Sequence, residues 1–395
     1  MKKRIFLDCR HMHKKDGTGR VTYNISTILF SQYSEEFDFT VLVHKSILSK
    51  MRNKFPEVHF FSQKLANINV FRVLYDFTLL NYQVNKFKTD IYVSFESFTI
   101  PLFSKCKKIT YIHDLIQIKF GGYINLYSKI WFIIKSLQAQ RYADLIITVS
   151  QFSKDEILDT FPKLNEDKVL VLYPSISPQF ESFLLNNTKA ISNSKKQTNK
   201  SRPKFNGENN IRQNDRNLII CLGGFDKRKN NSFAVSGFIK YLSEHKDSNL
   251  KMAIVGINGL STRKTKSVKP IIPIKYKKYF ELYSEINDKT LSYLYYRSKI
   301  AICSSVYEGF GLPIIEAQFF GIPVISVKSS SLVEAAGKGA VFVENNDVDS
   351  LSEAIDTLST DTTKRNKLTK LGAENIKRFS WNDDVLKLVN IFKTM

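Results

Sequence analysis

Acidic residues are scarce beside basic ones in this chain. Asp and Glu number 37 against 59 Lys and Arg, for a formal net charge of +22 over 395 residues. Such an imbalance asks for a partner that is negative somewhere: nucleic acid, an anionic membrane leaflet or a phosphorylated substrate. Helix-turn-helix, zinc-finger and RNP-like aromatic motifs are all missing, so nucleic acid is not expected. Cysteine is scarce as well. Cys9, Cys106, Cys221 and Cys303 lie in or beside apolar runs with no C-x-x-C spacing, which reads as buried free thiols in a reducing cytosol. Long apolar runs are also missing, none reaching the roughly 18 residues of a transmembrane helix. The opening Met-Lys-Lys-Arg starts like a secretory signal, but Asp8 cuts it off directly after Ile5-Phe-Leu7. A cytoplasmic protein, soluble or resting on the inner face of a membrane, is the expectation.

What is present is a repeated strand and helix texture. The chain exceeds the roughly 250–300 residues at which one core stops growing, so two domains are expected, and a hydrophobic share of 43% can fill both. Arg4–Cys9, Phe39–Val43, Ile91–Phe95, Ile109–His113 and Leu145–Val149 read as buried strands, with helices over Val21–Phe30 and near Leu126–Tyr142. They predict one doubly wound domain over residues 1–180. Residues 181–217 read as linker and insertion, because Asn186–Asn217 is polar, rich in Lys and Asn and poor in large apolar residues. The pattern restarts with Leu218–Leu222, a helix from about Asn230, Met252–Val255, Ile300–Cys303 and Val324–Ser326. That predicts a second doubly wound domain over 218–375, and residues 376–395 remain as a tail. The fold class is α/β, with two parallel sheets facing a cleft and His113, Gly223 and Glu308 at strand carboxyl ends.

Four clusters carry candidate chemistry. In Glu308-Gly-Phe-Gly-Leu-Pro-Ile-Ile-Glu316 two carboxylates frame a glycine turn between a strand and a helix. Gly309 and Gly311 allow close backbone approach around Phe310 and Leu312, and the N–H groups and dipole of the helix start favour an anion such as phosphate. Glu316, expected in the first helical turn, and Glu308 can then accept hydrogen bonds from paired sugar hydroxyls. The plainer alternative is an ordinary strand–loop–helix corner. In Gly223-Gly-Phe-Asp-Lys-Arg-Lys-Asn230, Arg228 and Lys229 fall between a strand and a helix, where they can pair with phosphates or simply cap the helix. His113-Asp114 ends a strand, so His113 can bond a hydroxyl or stabilise developing charge, or be a satisfied polar residue. In Asp16-Gly-Thr-Gly-Arg20, Gly17 and Gly19 precede a helix, and a plain turn is the alternative. His11 and His13 flank that loop without further ligands in sight and read as loop residues. Asp347-Val-Asp349 matches a metal-chelating DxD pattern but reads better as a helix cap, so no essential metal is expected.

The first of these clusters resembles the E-x7-E signature of family 4 retaining glycosyltransferases of the GT-B fold. Ser304–Ala317, Gly321-Ile-Pro-Val-Ile325, Ser331-Leu-Val-Glu334 and Gly337 follow that family's order. The resemblance implies Glu308 at the donor sugar, Glu316 at the ribose, and Arg228 and Lys229 on the diphosphate of a nucleotide-sugar donor. It also implies His113 reaching the sugar from the first domain, with the Gly17–Gly19 loop beside diphosphate and acceptor. One departure is that the arginine many members carry right after the first glycine is here Gly224 or Phe225. Phe379-Ser-Trp381 resembles the family's tail, which implies a final helix crossing back to the first domain. In texture the chain is similar to mannosyl- and rhamnosyl-type enzymes of bacterial surface-polysaccharide assembly. That likeness implies GDP-mannose, or another nucleoside-diphosphate hexose, and a lipid-diphosphate-linked acceptor. Tyr127–Lys135, aromatic with basic flanks, has the look of a helix at a membrane interface, although packing on the sheet explains it too. The alternative to an enzyme is a basic polyanion- or membrane-binding protein on a non-catalytic GT-B scaffold.

Overall fold

The computed structural model describes residues 2–14, 16–64, 75–95, 99–119, 126–185, 216–257 and 270–395, with backbone alone at 126–129. Most of the expected insertion, residues 186–215, lies outside the described residues. The chain divides into two compact units, one formed by Met1–Pro174 with Ser380–Met395 and the other by Ser175–Phe379. The division falls before the expected residue 180 for a physical reason. Ser175 Oγ donates to the Phe379 carbonyl at 2.8 Å, and Phe180 packs edge-on against Tyr295 and Phe320.

The first unit is built on seven strands: β1 (Lys3–Cys9), β2 (Phe37–Val43), β3 (His59–Phe61), β4 (Ile91–Ser94), β5 (Lys107–Tyr111), β6 (Leu145–Thr148) and β7 (Val169–Val171). They run parallel in the order β3-β2-β1-β4-β5-β6-β7. A parallel sheet is covered on both faces, so its strands read as near-continuous apolar runs. In β1, Ile5, Leu7 and Cys9 enter a core with Ile25 and Leu29 of the helix Gly17–Tyr33, while Phe6 points to the opposite face with Leu80, Val84 and Tyr92. Asp16 caps that helix by accepting from Gly19 N at 2.8 Å.

The final helix, Trp381–Thr394, is part of this first unit. Ser380 caps its start, and Trp381, Val385, Leu388, Val389 and Phe392 fill the core beside Phe37 and Phe39. Lys3 Nζ donates to the carbonyls of Phe392 and Lys393, both at 2.9 Å, satisfying the acceptors left open at the helix end.

The second unit carries β8 (Leu218–Leu222), β9 (Lys251–Val255), β10 (Phe280–Tyr283), β11 (Ser298–Cys303), β12 (Val324–Val327) and β13 (Ala340–Val343). They are parallel in the order β10-β9-β8-β11-β12-β13. In each sheet the chain order reverses once, between β1 and β4 and between β8 and β11, which makes both doubly wound. Edge strands β3, β7, β10 and β13 escape the sequence reading. The first and second are three residues long, and the other two are mostly half-exposed.

Candidate active site

The switch point of the second sheet sets the carboxyl ends of β8 and β11 side by side, and each supplies one half of a charged cluster. After β8, Gly223 and Gly224 take φ of +96° and +58°, and both N–H groups donate to the Val255 carbonyl, at 2.9 and 2.8 Å. No side chain fits there. A Cβ on Gly223 would lie 2.3 Å from Lys229 Cγ, and one on Gly224 would lie 2.2 Å from the Gly256 carbonyl oxygen. This crowding is the physical reason that residue 224 cannot carry an arginine, and the positive charge arrives from the short 3-10 turn Lys227–Lys229 instead. Asp226 caps that turn, accepting from Arg228 N at 2.8 Å.

After β11 the chain brings Glu308 onto those cations. Glu308 Oε2 meets Arg228 Nη1 and Oε1 meets Lys229 Nζ, each at 2.5 Å, and Ser305 Oγ donates to Oε1 at 2.8 Å. Its backbone is held too, with Glu308 N donating to Ser330 Oγ at 3.0 Å and Ser331 Oγ donating to the Glu308 carbonyl at 2.8 Å. Burial by itself would raise the pKa of this carboxyl. The charges of Arg228 and Lys229, with the hydrogen bonds from Lys229 and Ser305, outweigh it and hold the pKa at about 2. Two cations and one carboxylate therefore share a mostly buried spot with a net charge of +1.

The remaining residues of the motif divide between backbone and core roles. Gly311 has φ of +110° and precedes the helix Leu312–Phe319, with Pro313 in its first turn. A Cβ on Gly311 would lie 2.9 Å from a Leu332 methyl, and Gly309 beside it is buried. One expectation is corrected here. Glu316 does not fall in the first helical turn, which holds no acid. It lies a turn further in, buried, and accepts from Tyr295 OH at 2.7 Å. Phe310 turns its ring into the core against Phe379, centroids 5.2 Å apart, so only its backbone faces the glycine turn. Leu312 is half-buried at the helix start.

In the first unit, His113 follows β5 and is buried, with Nε2 3.4 Å from the Phe95 carbonyl oxygen. A carbonyl only accepts, so Nε2 carries the proton and Nδ1 is left with its lone pair. Burial lowers the ring pKa to about 4, more than the Phe95 carbonyl and the charge of Asp16 raise it. His113 is therefore a neutral hydrogen-bonding group near pH 7, not a positive charge. Gly17 is exposed at the start of its helix, whereas Gly19 is buried so tightly that a Cβ would lie 2.1 Å from the Lys14 carbonyl oxygen. His13 stacks its ring on His44 with centroids 4.1 Å apart. Asp347 caps the helix Val348–Thr360 and Asp349 pairs with Lys240. Among the described residues no group of three or more His, Cys, Asp or Glu is placed to hold a metal ion.

Sequence reasoning did not find Ser305, Ser330 or Tyr295 as partners of the two glutamates. It also missed a buried charge network at the end of β1. Arg10 donates to both oxygens of Asp8, at 2.8 and 2.6 Å, and to Asp76 at 2.9 Å, and Lys135 Nζ reaches Asp76 at 2.6 Å. Arg10 and Asp76 lie 66 positions apart, and no local pattern announces such a pair.

Comparison with known proteins supports this architecture. Residues 203–375 match the family model described as glycosyl transferases group 1. The chain is 36% identical to the O-antigen chain mannosyltransferase B of Escherichia coli over 28% of its own length and 29% of that protein's length. It is 25% identical to an uncharacterised glycosyltransferase of Methanocaldococcus jannaschii over 72% of this chain and 70% of the relative. Among solved structures, Anabaena HepE in complex with UDP-glucose superposes with a TM-score of 0.69 over the whole of both chains at 14% identity, a likeness of fold. Residues 203–375 thus carry a glycosyl transferases group 1 domain, in a chain whose two parallel sheets have the GT-B fold.

Proposed function

We propose that the protein is a glycosyltransferase that moves a hexose from a nucleoside-diphosphate donor with retention of anomeric configuration. The observation carrying this reading is the convergence of Arg228, Lys229 and Glu308 at the switch point between β8 and β11. The departing diphosphate is the largest charge the reaction has to stabilise, and Arg228, Lys229 and the start of the helix Leu312–Phe319 supply positive charge for it. Glu308 contacts the donor sugar and Glu316 the ribose, while His113, as neutral imidazole, accepts a hydrogen bond from a sugar hydroxyl. The acceptor's proton passes to the leaving phosphate, so Glu308 is not cast as a nucleophile. No metal is assigned to the reaction.

The mannosyltransferase names among the relatives support a mannose-type donor such as GDP-mannose, and the O-antigen relative supports bacterial surface-polysaccharide assembly. A lipid-diphosphate-linked saccharide is the proposed acceptor, used by a cytoplasmic protein resting on the inner membrane face. Thermal-shift titration with GDP, UDP, ADP and dTDP tests the reading and names the base, since a ligand that binds only the folded state raises its stability. A rise with one of the four supports a donor site; no rise with any sinks it and leaves a non-catalytic scaffold.

A further inference from the structure

Three consecutive serines, Ser329, Ser330 and Ser331, stand just past β12 and are tied to the segment that carries Glu308. Ser329 Oγ donates to the Val306 carbonyl at 2.5 Å, and Ser331 Oγ donates to the Glu308 carbonyl at 2.8 Å. Ser330 Oγ is held the opposite way, accepting from Glu308 N at 3.0 Å. A hydroxyl that accepts from an N–H still has its own proton to give. Among the described residues no acceptor takes that proton, whereas Ser304, Ser305, Ser329 and Ser331 all direct theirs to protein oxygens. Ser330 is half-buried, so a ligand can reach it.

The backbone points the same way. Ser330 has φ of +46°, in the left-handed region that favours glycine. Strain of this kind persists where the surroundings over-determine it, and it clusters at ligand sites. Here the bonds of Ser329 and Ser331 fix the turn on both sides. What serine offers over the less strained glycine is its hydroxyl, and the Glu308 N–H polarises that hydroxyl into a better donor.

Strand order shows which part of a donor lies there. β8, β11 and β12 are neighbours in that sequence, and past their carboxyl ends come Arg228 and Lys229, then Glu308, then Ser330. Glu308 meets the two cations with its carboxylate and Ser330 with its backbone. A donor whose diphosphate lies on Arg228 and Lys229 therefore extends its sugar past Glu308 toward Ser330.

We propose that the Ser330 hydroxyl donates a hydrogen bond to a hydroxyl oxygen of the donor hexose and takes part in selecting that sugar. A site that bonds a substrate hydroxyl rejects analogues lacking it. The contact rests on the nucleotide-sugar donor proposed above and adds a sugar-facing residue to it.

Calorimetric titration of the unaltered full chain, Ser330→Gly and Ser330→Ala tests the contact with four pairs: GDP and GDP-mannose, UDP and UDP-glucose, ADP and ADP-glucose, dTDP and dTDP-glucose. The readout is the affinity for the hexose donor relative to the free diphosphate of the same base. Both variants should lower that ratio about tenfold, the scale of one hydrogen bond in a desolvated site. Binding of the free diphosphate should stay unchanged, because Glu308 keeps its place on Arg228 and Lys229. Melting temperature separates hydroxyl from strain. Glycine relieves the left-handed backbone and alanine does not, so Ser330→Gly should melt higher than Ser330→Ala while both lose the same sugar affinity. A loss confined to the alanine variant would make the role of Ser330 structural and overturn the proposal. An unchanged ratio, or equal weakening of diphosphate and hexose donor, would overturn it too. Binding of none of the four diphosphates by the unaltered chain would defeat the donor reading itself, and the sugar contact with it.

Discussion

The Glu308 carboxylate occupies the point where Arg228 and Lys229 converge, so a donor diphosphate has to share or displace it. Glu308→Gln removes the competing charge and leaves the shape. We expect the variant to bind free nucleoside diphosphate about tenfold more tightly, because charge-assisted bonds return to the phosphates, and to lose transfer by about 100-fold or more. Calorimetric titration with the diphosphate, beside a transfer assay, checks both. Equal or weaker binding would place the diphosphate away from Arg228 and Lys229. The second glutamate behaves differently. Glu316 is buried with the Tyr295 hydroxyl at 2.7 Å, and Tyr295→Phe takes away a donor from a buried carboxylate. That change should cost about 1–3 kcal/mol of stability in denaturant unfolding and weaken nucleotide binding. Much of this site was legible in sequence. Gly223, Gly224 and Gly311 mark backbone that no other residue suits, and the acids and bases sit a few positions from them. Ser305 and Ser330 were not legible, since a serine that bonds the Glu308 carboxylate or its backbone N–H looks locally like any loop serine.

At the level of elements, the final helix Trp381–Thr394 carries a titratable weak point. Asp384 is buried with Oδ2 lacking a hydrogen-bond partner among the described residues, near Tyr111 and in contact with Lys387. Burial pushes its carboxyl up to about 6, and Lys387 and the Tyr173 backbone only partly offset this. The folded state thus holds a proton between roughly pH 4 and 6 that the unfolded chain has released. Stability falls as pH rises through that window and stays lower above it, by about 3 kcal/mol at two pKa units. Asp384→Asn should therefore raise the melting temperature at pH 7–8, with the gain fading toward pH 4. A gain that is flat with pH would refute this cause. The central strands beside the sheet switch points were readable as short buried runs. Edge strands were not, because β3 and β7 hold three residues each and β10 follows a Lys- and Tyr-rich turn with no alternation.

Across the whole molecule, each unit has its own core, and the chain returns to the first unit with its last sixteen residues. Deleting Ser380–Met395 removes Trp381, Leu388 and Phe392 from the first core and nothing from the second core. The first unit should become protease-sensitive at temperatures where the second resists and still binds nucleotide. Uniform sensitivity of both would contradict that division. Two α/β domains were legible from alternating buried runs. The long-range pairs, such as Arg10 with Asp76, were not, because they depend on which crossover brings distant loops to one strand end. The most direct test of the central claim is calorimetric titration of the unaltered chain and of Lys229→Ala with GDP, UDP, ADP and dTDP. The account predicts binding of one nucleoside diphosphate by the unaltered chain, weakened at least about tenfold in Lys229→Ala while folding is retained. Binding of none, or equal binding by both proteins, would contradict it.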